Sequence, residues 1–330
     1  MTNIALFGAG RIGAVHATNI AANTKTHLKW VVDVFEQSAK GLADANGAQS
    51  TTSVEEALSD PDVHGIMIAS STDTHLDLIL EGIKAGKAVF CEKPLDLDLG
   101  RVDERMDEIE AADTPVLVGF NRRYDPNFKA VHDAIANGKI GDLEMVKITS
   151  RDPGPPPIEY INVSGGLFRD MMIHDFDLAR WLLGEDPVEV FASASCLVDP
   201  AIGNAGDIDT AVVTMKTASG KLCQIDNSRR AVYGYDQRME VFGSKGMAKA
   251  DNVQTNTVEV WDGDRVHREK PPYFFLERYA EAYRAELDHF VDVVSGKAEP
   301  AVTARDGRQA LALADAALTA SQSGQAQQLG

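Results

Sequence analysis

Cysteine is scarce in this chain of 330 residues. It holds three, Cys91, Cys196 and Cys223, with no CxxC pair and no spacing typical of a metal site. Each lies in an apolar, strand-like stretch, where a small buried hydrophobe is the expected role. An odd, sparse count fits a reducing cytoplasm rather than a disulfide scaffold. Long hydrophobic runs are missing too: no stretch approaches the ~18 apolar residues that would cross a bilayer. The first apolar run begins at Ile4 with no basic segment before it, so no cleavable signal is expected. Basic residues are outnumbered, 32 Lys and Arg against 50 Asp and Glu, for a net charge of −18. That balance argues against nucleic acid and membrane as partners, since both need clustered cations. An anionic ligand would have to be met by local backbone amides and a few placed cations.

What is present is ordinary for a water-soluble protein, 44% apolar and 25% charged. The length corresponds to about two domains. Short apolar runs at 3–8, 28–33, 65–69, 88–91 and 116–119 alternate with helix-like segments at 11–23, 36–46, 54–58, 74–85 and 99–111. Strands of four to six residues separated by helices indicate parallel βαβ units with both sheet faces covered. Ser53 with Glu56 three residues on reads as a capping box, and Gly86 as a helix C-cap.

After about residue 140 the rhythm changes. A strand at 143–150 runs into Asp152-Pro153-Gly154-Pro155-Pro156-Pro157, which cannot be helix or central strand. A helix is expected at 175–183, stopped by Gly184. Strands follow at 188–196, 208–217, 221–228, 237–242, 247–251 and 257–261, with turn signals that suggest an antiparallel meander. Helices at 276–295 and 304–321 close the chain, and the polar tail 322–330 reads as frayed. Trp30, Trp181 and Trp261 read as core. The expected architecture is an α/β Rossmann domain with a doubly wound parallel sheet over residues 1–121. An α+β domain with an open, mostly antiparallel sheet follows over residues 122–330, its C-terminal helices free to pack back on the first domain.

Gly8-Ala9-Gly10-Arg11-Ile12-Gly13 stands directly after the first strand and opens a helix. Gly8 permits the tight turn, Gly10 lets a pyrophosphate approach the backbone, and Gly13 allows helix–strand contact. The helix N-terminus adds amides and a positive dipole end. Asp33 ends the second strand, 20 residues after Gly13, where a carboxylate can accept hydrogen bonds from a ribose diol and would repel a 2′-phosphate. NAD is therefore preferred over NADP. A tight turn followed by a strand-ending Asp is the plainer alternative.

The fifth strand runs into Cys91-Glu92-Lys93-Pro94. Ligands in doubly wound sheets sit at the carboxyl ends of strands, which places Lys93 toward the cofactor crevice. A lysine there can steady a developing alkoxide or donate to a hydroxyl; a solvated lysine paired with Glu92 is the alternative. The stretch Gly165–Asp177 carries Asp170 and His174 four residues apart, on one face of a helical segment. A carboxylate beside an imidazole can orient it and stabilise its protonated form, so His174 is a candidate general base. Two other readings remain, a packed helix-capping cluster and a metal site using His174, Asp175 and Asp177.

Taken together, GAGRIG, STDTH (Ser71 to His75), EKP and the GG…D-x-x-x-H-D-x-D element resemble the glucose–fructose oxidoreductase/inositol dehydrogenase/MocA superfamily over essentially the whole chain. The resemblance implies Lys93, Asp170 and His174 as the catalytic set. It groups Arg11, Ile12, Ser71, His75, Glu92 and Lys93 with Gly8, Gly10, Gly13 and Asp33 as cofactor contacts, with His75 near the nicotinamide. GFNRRYD (from Gly119), SRDP (from Ser150) and GGLFRD (from Gly165) resemble the inositol 2-dehydrogenase branch. That branch oxidises the polyol myo-inositol to 2-keto-myo-inositol with NAD, usually as homotetramers. The same resemblance implies that Arg123, Asp152 and Tyr235, with Lys93, Asp170 and His174, contact the substrate; surface, turn and packing roles are the alternatives. A sister dehydrogenase acting on scyllo-inositol or glucose, and a non-catalytic NAD-sensing regulator, are the rival functions.

Overall fold

In the first apolar run Ile4, Ala5 and Leu6 are fully buried and Phe7 nearly so. Consecutive burial without alternation marks a strand covered on both faces. The computed structural model describes residues 1–329, and these cluster into two units. Met1–Asn121 with Ala282–Gln309 form the first; Arg122–Glu281 with the residues from Ala310 onward form the second.

The first unit alternates β1 (Thr2–Phe7), α1 (Arg11–Ala22), β2 (Thr26–Val32), α2 (Glu36–Asn46), β3 (Gln49–Thr51), α3 (Val54–Ser59), β4 (Gly65–Ile68), α4 (His75–Lys84), β5 (Ala88–Glu92), α5 (Leu99–Glu110) and β6 (Val116–Gly119). The strands form one parallel sheet in the order β3-β2-β1-β4-β5-β6. The order reverses between β1 and β4, the crevice where such sheets bind ligands. The short strand β3, polar throughout, is not signalled by hydrophobicity. Ser53 caps α3 by accepting from the Glu56 amide, but the Glu56 carboxylate takes the Thr51 hydroxyl instead of closing a full box.

The second unit begins with α6 (Pro126–Ala136), a helix not expected from the sequence. Its start is nonetheless marked: Pro126 opens the first turn, and the Asp125 carboxylate accepts from the amides of Asn127 and Phe128. Then come β7 (Leu143–Arg151), α7 (Ile158–Ser164), α8 (Gly166–Asp170), α9 (Ile173–Leu183), β8 (Pro187–Ser195), α10 (Pro200–Asn204), β9 (Thr210–Thr217), β10 (Leu222–Ser228), β11 (Asp236–Gly243) and β12 (Gly246–Ala250). In β9 Ala211, Val213, Met215 and Thr217 are buried while Val212, Thr214 and Lys216 face out, the alternation of a sheet open on one side.

Several details depart from the sequence reading. Residues 257–261 do not join the main sheet: β13 (Glu259–Trp261) pairs with β14 (Val266–Arg268) in a separate hairpin. Trp261 is 72% exposed there, not core. The helix expected at 276–295 is two, α11 (Phe275–Arg278) and α12 (Ala280–Val294). After α13 (Ala304–Ser323) the tail is not frayed throughout, because β15 (Gln327–Gln328) hydrogen-bonds along β8. The sheet, ordered β12-β11-β7-β10-β9-β8-β15, contains a parallel pair, β7 with β10, so it is mixed rather than a simple meander. No helix is long and apolar enough to cross a membrane among the described residues.

Candidate active site

Between β1 and α1 the three glycines have different reasons to be glycine. Gly8 has φ +102°, and a Cβ there would lie 2.5 Å from the Ala69 carbonyl oxygen; a Cβ on Gly13 would lie 2.0 Å from the Gly8 oxygen. Gly10 has nothing within 4 Å of its Cβ position. Protein packing thus explains the outer two, whereas the open space at Gly10 is what a pyrophosphate needs to reach the backbone. No side chain caps α1, which leaves its first-turn amides for a phosphate. The residues present therefore fit NAD. Asp33, at the end of β2, braces the turn: one oxygen accepts from the Ala9 amide at 2.7 Å and the other from the Phe35 amide at 2.9 Å. Each oxygen keeps a further lone pair for a ribose hydroxyl.

Glu92 ends β5, and the Lys93–Pro94 peptide that follows is cis. Lys93 is half-buried. His75 opens α4 behind this corner, with Nδ1 2.7 Å from the Pro94 carbonyl oxygen and Nε2 3.3 Å from that of Ser70. Its ring is buried, and burial lowers its pKa, so it serves as a neutral brace beneath the Lys93 corner. Ser71 is exposed at the start of a 3₁₀ turn, Thr72–Thr74, and its carbonyl accepts from the Thr74 hydroxyl. Arg11 is exposed and Ile12 half-buried on the first turn of α1. A contact not foreseen is His16, buried on α1, whose Nε2 is 2.7 Å from Glu92 Oε1. Its place one turn after Gly13 was the available signal.

In the second unit Asp170 and His174 fall on consecutive helices, not one. Gly165 and Gly166 both have positive φ, and α8 ends at Asp170 before α9 restarts at Ile173. Asp170 Oδ1 accepts from the Tyr160 hydroxyl at 2.9 Å, and its Oδ2 lies 3.5 Å from Arg229 Nη1. Asp152 follows β7, and burial raises its carboxyl pKa to about 7; Arg229 pulls it down and Asp170 pushes it up. Tyr235 is buried, which raises its phenol well above the ordinary value, and its oxygen accepts from Arg122 at 3.5 Å.

The adjacent arginines are not surface cations. Arg122 is buried, with Nη1 2.5 Å from Asp175, itself fully buried. Arg123 presents Nε and Nη2 to the two oxygens of Asp177 at 2.8 and 2.5 Å. Asp175 and Asp177, the carboxylates of the metal reading, are each engaged by a guanidinium. No cluster of three or more His, Cys, Asp or Glu suited to a metal occurs among the described residues. Arg229, Asp207 and Tyr160 were missed, and no local spacing announces them.

A family model described as "Oxidoreductase family, NAD-binding Rossmann fold" matches residues 2–120, and one described as "Oxidoreductase family, C-terminal alpha/beta domain" matches residues 132–329. The chain belongs to the Gfo/Idh/MocA oxidoreductase family. This member of the family is 50% identical over 313 residues to an inositol 2-dehydrogenase of Rhizobium meliloti, covering 95% of this chain and 94% of that one. It is 50% identical over 317 residues to a myo-inositol 2-dehydrogenase of Thermotoga maritima, with the same coverage. Among solved structures it resembles a myo-inositol dehydrogenase from Corynebacterium glutamicum, with TM-score 0.96 and 44% identity, covering 100% of this chain and 99% of the other. As in the family model, the first unit of this Gfo/Idh/MocA chain is an NAD-binding Rossmann fold.

Proposed function

We propose that the protein is an NAD-dependent inositol 2-dehydrogenase that oxidises myo-inositol to 2-keto-myo-inositol. The observation that carries this reading is 50% identity, over 95% of the chain, to relatives from two organisms named for that activity. Lys93, Asp170 and His174 supply chemistry that suits it. NAD, when bound, supplies the acceptor for the hydride that leaves the carbinol carbon. His174 takes the hydroxyl proton at an imidazole nitrogen, a step for which a positioned base contributes about 10²–10⁴-fold. Lys93 donates to the same oxygen and opposes its developing negative charge. Asp170 orients His174 or receives its proton in turn.

Asp152 and Tyr235 are assigned to substrate hydroxyls. A carboxyl with pKa about 7 can accept from or donate to a neutral polyol near physiological pH. Arg123 is assigned chiefly to holding Asp177. The open face of the second unit's sheet carries exposed Phe191, Val212, Leu222, Phe242 and Met247. An apolar face of that kind is consistent with a homotetramer, which light scattering would report as a multiple of the chain mass. Three free cysteines fit a cytoplasmic setting.

The test is NADH formation across myo-inositol, scyllo-inositol and glucose. Turnover with myo-inositol should exceed the others, and Lys93→Ala and His174→Ala should each reduce it by at least ~100-fold, His174→Ala with NAD binding intact. Preference for another polyol would assign a sister dehydrogenase; no turnover with any would leave an NAD-sensing role.

A further inference from the structure

Arg229 lies just past the end of β10 and is 1% exposed, yet its ion pairs are long. Nη1 is 3.5 Å from Asp170 Oδ2 and Nη2 is 3.6 Å from Asp207 Oδ2. Nε and Nη2 have no hydrogen-bond acceptor in the protein. A guanidinium docked on one carboxylate would make two short parallel bonds. This one instead spans two carboxylates and saturates neither.

Those two carboxylates stand at opposite ends of one five-residue element. Asp207 Oδ1 accepts from the Leu167 amide at 3.1 Å, at the start of α8. It packs so closely there that a Cβ on Gly166 would lie 2.6 Å away. Asp170 is the last residue of α8. The backbone behind Arg229 is itself anchored, since the Arg229 amide donates to the Asp209 carbonyl at 2.8 Å. The Asp209 carboxylate in turn accepts from the amides of Leu197, Val198 and Asp199 and from the Thr210 hydroxyl. Asp152 is tied to the same segment: its amide donates to Ser228 and its carbonyl accepts from Ala231.

We propose that Arg229 is a positioning residue: it bridges Asp207 and Asp170, holds α8 at both ends, and thereby fixes the carboxylate assigned to His174. The proposal rests on the reading of Asp170 and His174 given above. α8 follows two positive-φ glycines and precedes a two-residue turn, and its middle is held by buried Leu167 and Phe168 and by Arg169 Nε, 2.6 Å from Asp315 Oδ1. A single buried cation reaches the carboxylates at both of its ends. The charged and titratable groups around it are Asp152, Asp170 and Asp207, with Tyr160 on the other side of Asp170. Arg122 and Asp175 also act on Asp152, the first lowering and the second raising its pKa. Arg229 thus also favours the ionised form of Asp152, against burial and the charge of Asp170.

Three variants separate the roles: Arg229→Gln, Arg229→Lys and Asp207→Asn. With the full-length protein, hydrogen exchange of the peptide covering α8 reads position directly, without reference to activity. Steady-state NAD reduction with myo-inositol reads kcat, KM and the acid limb of the pH profile. Arg229→Gln should speed exchange in α8 about 10-fold and lower kcat about 100-fold, as a displacement near 1 Å does. It should move the acid limb to higher pH, because Asp152 loses the cation that lowers its pKa. Arg229→Lys keeps the charge but cannot fork across two carboxylates, so the acid limb should return while kcat stays low. Asp207→Asn, which leaves Arg229 in place, should lower kcat about 10-fold with KM nearly unchanged. NAD affinity should hold in all three. Unchanged exchange in α8 with wild-type kcat in a folded Arg229→Gln would overturn the proposal. Loss of NAD affinity in parallel with kcat would do so as well, since it marks general unfolding. If the wild type turns over no polyol, the functional reading fails on its own, and the exchange data still decide whether Arg229 holds α8.

Discussion

In the first unit the groups offered to a pyrophosphate are backbone amides, and the acidic, basic and histidine side chains buried with them are His16, His75, Asp96 and Glu286 among the described residues. In the second unit the interior holds Arg122, Arg229 and Arg278 together with carboxylates such as Asp125, Asp175, Asp177 and Asp209. On the proposed function, in which the second unit supplies the polyol contacts, the contrast follows from what each ligand brings. A pyrophosphate carries its own charge, so a glycine turn and a helix end suffice, and cations need not be buried. A neutral polyol carries only hydroxyls, so fixed donors and acceptors must come from the protein. Charged groups give the strongest hydrogen bonds but must be neutralised in pairs to be tolerated in the interior. An acidic chain can therefore bind a dinucleotide and still spend its few cations on the other site.

The largest expected effect tests the backbone half of this contrast. Gly13→Ala would drive a methyl group to 2.0 Å from the Gly8 carbonyl oxygen, with no side chain able to yield. The turn must open, and NAD affinity measured by calorimetry should fall at least ~100-fold, about 2.7 kcal/mol. Arg122→Met, in the second unit, should leave NAD affinity unchanged. If both lesions weaken NAD equally, the division of labour is wrong.

Next in size is the cost of breaking a buried pair. Arg122 sits against Asp175 with a further bond from Asn227 to the same carboxylate. Burial raises the Asp175 pKa, and the Arg122 cation works against that rise. Arg122→Met leaves this carboxylate uncompensated and should cost about 3–5 kcal/mol in urea unfolding. Adding Asp175→Asn, which removes the stranded charge, should recover part of the loss. A cost under ~1 kcal/mol for the single change would mean that these pairs do not hold the second unit together.

The same contrast explains what the sequence disclosed. The glycine turn, Asp33 and the strand-ending Lys93 are local features, and spacing along the chain places them. The pairs of the second unit join residues far apart in sequence: Asp175 is 53 positions from Arg122, Arg229 is 59 from Asp170, and Arg278 is 153 from Asp125. No periodicity encodes such partners. Asp170 and His174 were recognisable by type, but one helical segment was expected where the turn at Met171–Met172 divides it into two helices. β3 and β15 are short, polar edge strands, which need no hydrophobic pattern to pair. Trp261 looked like core because aromatic residues usually are, yet its hairpin is exposed on both strands.

The smallest expected effect concerns a buried carboxyl of the first unit that, unlike Asp96 with its Arg101, has no cation beside it. Glu286 on α12 is buried, and neither of its oxygens has a hydrogen-bond partner. Burial, reinforced by the negative charge of nearby Glu92, raises its pKa well above the ordinary glutamate value. The folded chain therefore keeps a proton that the unfolded chain releases near pH ~4.3. Stability from this group is complete below that pH and declines as pH rises toward the folded pKa. Glu286→Gln copies the protonated shape and cannot titrate. The variant and the wild type should melt alike near pH ~4. By pH ~8 the variant should be the more stable by about 1 kcal/mol or more, since a tenfold difference in proton affinity between folded and unfolded chains corresponds to about 1.4 kcal/mol. Melting curves that stay parallel from acid to alkaline pH would mean that Glu286 is ionised in the fold. The first unit would then hold an uncompensated buried charge of the kind that the second avoids by pairing.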